Sequence, residues 1–111
     1  LPGSSNAITI WWRLLHEKIP SRQRLKSLGF PLPNDYCVVC HEVPESDAHF
    51  MTNCPPKKAI WTRVLPSARP EEIWSNLTHP SVLESDMKIL YAQVLSEVWS
   101  VHWGNIFAKS K

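Results

Sequence analysis

The sequence predicts a mostly α-helical fold: a small helical domain with one cysteine-bearing knuckle between helical segments and a long apolar C-terminal helix. Three observations predict it. Apolar residues recur at helical spacing in separate stretches along the chain. Chain breaks fall at prolines, of which there are ten, rather than at glycines, of which there are three. Six tryptophans and 43% apolar residues in 111 positions make the chain globular, with a modest core and one domain.

The first element is read over residues 7–18, where Ile8, Trp11, Trp12 and Leu15 lie at helical spacing. The preceding Leu1-Pro2-Gly3-Ser4-Ser5 reads as a vector remnant, leaving 6–65 as the core and 66–111 as a helical C-terminal extension packed on it. Pro20-Ser21 restarts the chain with Ser21 as N-cap, Leu25 and Leu28 facing inward, and Gly29 at the position after the helix end. Arg22 and Lys26, four apart, share one side of this second helix, with Arg24 nearby. Phe30 to Tyr36, with Pro31 and Pro33, is extended.

All three cysteines and two of the five histidines then fall together in "CVVCHEVPESDAHFMTNC". An odd count argues against a disulfide framework. Cys37-x2-Cys40 followed by His49-x4-Cys54 offers three thiolates and one imidazole, the donor set of a closed tetrahedral Zn2+ site. A two-residue gap lets both sulfurs of a tight turn reach one ion. His49 and Cys54 are five residues apart, about 500° on a continuous α-helix, so the chain must break near Asn53 with Cys54 at the break. Pro55 and Pro56 then open the next helix, where a missing N–H does no harm. Four ligands leave no open position, which makes the metal structural.

Competing readings are weaker. Cys37-Val-Val-Cys40-His41 matches a c-type haem attachment pattern, but haem leaves Cys54 and His49 without a role. A thioredoxin-like redox pair needs a βαβ setting that is missing. Three buried free cysteines with incidental histidines is the bland alternative. His41 could replace His49 only by bending back sharply from Cys40.

Beyond the knuckle, residues 57–65 read as a helix with Ile60, Trp61, Val64 and Leu65 apolar. Residues 71–77 form a short one with Glu71 and Glu72 in its first turn, suited to the positive helix end. Ser81-Val-Leu-Glu84 has the form of a capping box and opens the longest helix, from about residue 82 to 103 or beyond. That helix carries Ile89, Leu90, Tyr91, Val94, Leu95, Val98, Trp99, Val101, Trp103, Ile106 and Phe107, apolar on more than one face. Such a helix is either central to the core or seeks a partner. Asn76-Leu77-Thr78 fits a glycosylation sequon, which the reducing setting implied by thiolate ligation argues against.

No apolar run reaches the roughly 18 residues of a membrane span, so no membrane partner is expected. The net charge of +2 says little, but its distribution is uneven. Arg13, Lys18, Arg22, Arg24 and Lys26 form one basic group and Lys57, Lys58, Arg63 and Arg69 another. Between them lie only the acids Asp35, Glu42, Glu45 and Asp47. No glycine-rich phosphate loop or nucleophile–base–acid set emerges, so neither an enzyme nor a small-molecule substrate is indicated.

Trp12-Arg13-Leu14-Leu15-His16, then Ile19-Pro20-Ser21-Arg22 and Arg24-Leu25, precede the knuckle. Glu45-Ser46-x2-His49-Phe50-x3-Cys54-Pro55 and Ile60-Trp61 complete the pattern. Together they resemble the reverse-transcriptase zinc-binding domain of non-LTR retrotransposon polyproteins, over roughly residues 10–61. The tail Val98-Trp99-Ser100-Val101-His102-Trp103 is similar to the apolar helix that often follows it. His41 departs from the family, which more often has a small residue there.

The resemblance implies a metal-stabilised accessory module, intracellular and nuclear, that binds template RNA or target DNA beside a polymerase. Cys37, Cys40, His49 and Cys54 match its ligands. The cations expected to meet phosphate are Arg22, Arg24 and Lys26, then Arg13, Lys57 and Lys58. The alternative is a domesticated interaction or scaffolding domain, with Trp99 and Trp103 as anchors for the parent chain's polymerase or another protein.

Overall fold

The computed structural model describes the backbone of residues 2–109 and the side chains of residues 7–106. In chain order it contains α1 (Pro2–Leu15), α2 (Arg22–Ser27), a π turn (His49–Asn53), α3 (Pro55–Val64), α4 (Pro70–Thr78), a 3-10 turn (Pro80–Val82) and α5 (Ser85–Lys109). A lone antiparallel bridge between Tyr36 and Pro44 closes the base of the knuckle. The fold is mostly helical, as the sequence predicts. No helix among the described residues is long and apolar enough to cross a membrane.

α5 is the hub. Tyr91, Val94, Leu95, Val98 and His102, spaced i, i+3, i+4, i+7 and i+11, form its buried stripe. Against that stripe pack α1, α3 and the π turn. One core results, with Ile10 and Leu14 from α1, Phe50 and Met51 from the π turn, Ile60 and Trp61 from α3, and Ile73 and Leu77 from α4. Buried indoles need a partner for their N–H. Trp61 Nε1 donates to Met51 O at 2.8 Å, tying α3 to the π turn, and Trp11 Nε1 donates to Leu77 O at 2.8 Å, tying α1 to α4.

Two helix ends are closed by the same device. Gly29, with φ +93°, follows the end of α2; its N–H donates to Lys26 O while Phe30 N–H donates to Leu25 O. At the end of α1 the left-handed position is occupied by Glu17, φ +55°, with Glu17 N–H on Leu14 O and Lys18 N–H on Arg13 O. Ser21 caps α2 as expected, its Oγ accepting Arg24 N–H.

The structure corrects several expectations. α1 runs over Pro2–Leu15 rather than residues 7–18, and Leu1 lies outside the described residues. Its buried face is Ala7, Ile10 and Leu14, whereas Ile8, Trp12 and Leu15 are exposed. Both stripes are apolar, and docking on α5 selects the first. Leu28 is exposed because α2 ends before it. The capping box is not formed: Pro80 starts a 3-10 turn holding Ser81, and α5 begins only at Ser85, with Lys88 N–H on Glu84 O. The side chain of Phe107 lies outside the described residues.

Candidate metal centre

Two local structures bring the ligands together. In the first, His41 N–H donates to Cys37 O at 3.0 Å and Val39 N–H to Cys37 Sγ at 3.3 Å, wrapping the chain from Cys37 to Cys40. His41 then takes φ +61°, a left-handed conformation with a steric cost for a side chain. In the second, Ser46 Oγ accepts His49 N–H at 3.1 Å and starts the π turn. Cys54 N–H donates to His49 O at 3.1 Å, an i to i+5 closure. This wider winding resolves the spacing problem, setting His49 and Cys54 on one side where an α-helix would part them. Cys54 is extended at the break, and Pro55 and Pro56 open α3.

The ligand atoms of Cys37, Cys40, His49 and Cys54 all lie within 4.8 Å of one another. Cys37 Sγ and Cys54 Sγ are 3.8 Å apart, and Cys40 Sγ is 3.4 Å from His49 Nε2. Zn–S bonds of about 2.3 Å at tetrahedral angles require sulfurs about 3.8 Å apart, and a sulfur–nitrogen edge of about 3.5 Å. The donor set therefore fits zinc in chemistry and in size. The Cys54 thiol, hydrogen-bonded to Cys37, pulls Cys37 toward thiolate, helped by backbone N–H groups of Cys40 and Val39, while Cys54 is driven the opposite way. A bound dication would favour thiolate at all three. His41 lies outside this group.

Three buried polar residues stand around the cluster. Glu45 Oε1 accepts Arg22 N–H at 2.8 Å, and Glu45 O accepts Gln23 N–H at 3.0 Å, so the knuckle caps α2. Burial drives the Glu45 carboxyl up to about 7. Lys57, on α3, is fully buried, its Nζ 2.8 Å from His102 Nδ1 and 4.2 Å from the centroid of the Phe50 ring. An ammonium can only donate, so Nδ1 accepts and the imidazole proton resides on Nε2. Burial lowers the Lys57 pKa while Glu45 and the cysteines raise it. Burial and then the Lys57 charge push His102 down to about 3, leaving it neutral.

The cations singled out in the sequence are dispersed. Lys57 is corrected outright: its amine is inside the protein and meets no phosphate. Arg24 is ion-paired to Asp47, and Asp47 also accepts the Ser21 hydroxyl, so most of its charge is spent within the fold. Arg22 is half-buried and donates from Nη2 to Asn34 O. Arg13, Lys26 and Lys58 are exposed. Trp99 and Trp103 are half-buried rather than projecting; Trp99 packs on Phe50 and Trp103 lies edge-on to Trp99 and His102.

His102 and the inward roles of Lys57 and Glu45 were missed from the sequence, although a signal existed. Lys57 falls on the stripe Lys57, Ile60, Trp61 and Val64, and His102 continues Tyr91, Leu95 and Val98.

No curated protein and no solved structure matches the chain. A family described as zinc-binding in reverse transcriptase matches residues 4–61, the span that carries most of α1, all of α2, all four ligands and most of α3. With the ligand set closed to zinc dimensions inside that span, the chain belongs to the reverse-transcriptase zinc-binding family.

Proposed function

We propose that the domain is a zinc-stabilised, non-catalytic accessory module of a non-LTR retrotransposon reverse transcriptase, acting in the nucleus, that holds template RNA or target DNA. Membership of the family carries this reading. The surface that suits it is α2 with the segment laid along it: Arg22 meets Asn34 and Leu25 meets Phe30, so residues 30–34 run antiparallel to the helix. Lys26 on α2 is exposed, and so are the rings of Phe30 and Tyr36 on the chain that follows. Exposed cations and open aromatic faces are the two features that suit single-stranded nucleic acid, whose phosphates need charge and whose bases stack. With Arg24 and Lys57 committed internally, the working cations are Lys26, Arg22, Arg13 and Lys58.

Titration of the zinc-loaded domain with single-stranded RNA and with duplex DNA at two salt concentrations tests the reading. Binding should fall steeply with salt and weaken several-fold in Lys26→Glu and in Phe30→Ala. Equal binding by both variants and the parent would remove this surface from consideration.

A second reading, docking on protein, has one observation of its own. Ile8, Trp12 and Leu15 form an exposed stripe on α1 at i, i+4 and i+7, and they suit an apolar partner better than the packed Trp99 and Trp103. The polymerase part of the parent chain is one such partner. Sedimentation of the wild type and of Trp12→Asp with and without that segment separates the two readings.

A further inference from the structure

We propose that Lys57, held by His102, is the buried counter-charge of the metal centre, and that this pair makes the C-terminal helix part of the zinc-binding unit. Three thiolates and a neutral imidazole around a dication leave one net negative charge. The four donors sit largely inside the protein, with Cys37 and Cys54 fully enclosed. A buried charge left alone is costly.

Lys57 is placed to balance it. It follows the ligand Cys54 by three residues, one turn into α3. Its amine is fully enclosed, yet both of its direct partners are uncharged: a ring nitrogen of His102 and the face of Phe50, the residue after the ligand His49. Burial lowers its pKa, and of the acidic groups around it Glu45 raises it most, followed by Cys54, Cys37 and Cys40. Glu45 is itself partly committed to Arg22, while its second oxygen makes no hydrogen bond and lies 3.9 Å from the same His102 nitrogen. A lysine forced to choose a surface position would turn outward on its long stem; here His102 supplies the acceptor that keeps it in.

His102 lies on α5, 45 residues along the chain from Lys57 and beyond the family-matched span. Its ring also packs on Phe50, with centroids 4.0 Å apart. Metal affinity and α5 docking therefore share one contact.

Groups that orient or balance metal ligands typically alter affinity 10–100-fold when removed. The test is zinc affinity by competition with a chromophoric chelator, using Lys57→Met, which keeps stem and volume, and His102→Leu against His102→Gln. Cobalt(II) spectra check that the ligand set is unchanged. Lys57→Met should weaken zinc about tenfold or more while the metal-free domain becomes no less stable. A merely packing lysine would move stability and leave affinity alone. His102→Gln, which retains an acceptor, should bind more tightly than His102→Leu. Wild-type affinity in Lys57→Met overturns the counter-charge, and equal affinity in the two His102 variants overturns the link through α5. If Lys57→Met fails to fold, the His102 pair decides, weak zinc in His102→Leu alone upholding the proposal and equal affinities rejecting it.

Discussion

Glu45 Oε1 accepts the backbone N–H of Arg22 at 2.8 Å, so the loop that presents the metal ligands also terminates α2. Three of the N–H groups at the start of that helix are satisfied, two by the loop and one by the N-cap: Arg22 by the Glu45 side chain, Gln23 by the Glu45 carbonyl, Arg24 by Ser21. Ser21 in turn donates to Asp47 at 2.6 Å. Removing the acceptor leaves a half-buried donor unpaired, at a cost of about 1–3 kcal/mol. Glu45→Ala should show that loss in denaturant unfolding of the zinc-loaded protein, and Glu45→Gln, which keeps an oxygen, should recover most of it.

Metal removal should reach further than the loop. With Cys37→Ser, or after complete chelation, the knuckle loses a site with an apparent binding energy on the order of 10 kcal/mol. Because Glu45 caps α2, hydrogen exchange should accelerate in residues 22–27 as well as in residues 35–56. Elemental analysis of the intact protein should give one zinc per chain. Protection in both segments that is unchanged after chelation would refute the coupling of metal to fold.

The neutrality of His102 gives a pH dependence with a definite sign. Its folded pKa lies near 3 against an ordinary 6.5, so above pH 6.5 it is neutral folded or unfolded and its contribution is complete. Between pH 6.5 and 3 only the unfolded chain takes up the proton, and stability is lost as pH falls. The advantage of wild type over His102→Gln should therefore shrink by about 1.4 kcal/mol per pH unit below 6.5. Comparing the two proteins cancels the acid sensitivity of the zinc ligands, which both retain.

Glu17 sits in the left-handed position that ends α1, where the adjoining hydrogen bonds come from the backbone. Glycine adopts this conformation without the steric penalty of a Cβ. Glu17→Gly is expected to raise stability by about 0.5–1 kcal/mol, read as a higher denaturation midpoint with an unchanged slope.

The zinc ligands were legible in the sequence because all four fall within 18 residues and the chemistry fixes their spacing. Even the break between His49 and Cys54 could be argued from rotation alone, although the π winding that achieves it could not. Helix identity was legible and helix faces less so. α1 offers two apolar stripes, and only its tertiary partner decides that Ile10 goes in and Trp12 stays out. Charge was the least legible property. Lys57 and Lys58 are adjacent and chemically identical, yet one is enclosed by α5 and the other exposed. That distinction requires knowing that a histidine 45 residues away arrives beside one of them.

The family-matched span stops at residue 61, whereas the wall it leans on comes from residues 91–102. A fragment trimmed to the recognisable half would present Phe50, Trp61 and the Lys57 stem to water, trading an apolar lining for hydration. Excised knuckles of that length should accordingly precipitate or depend on excess metal, and a durable boundary belongs after the last turn that carries His102.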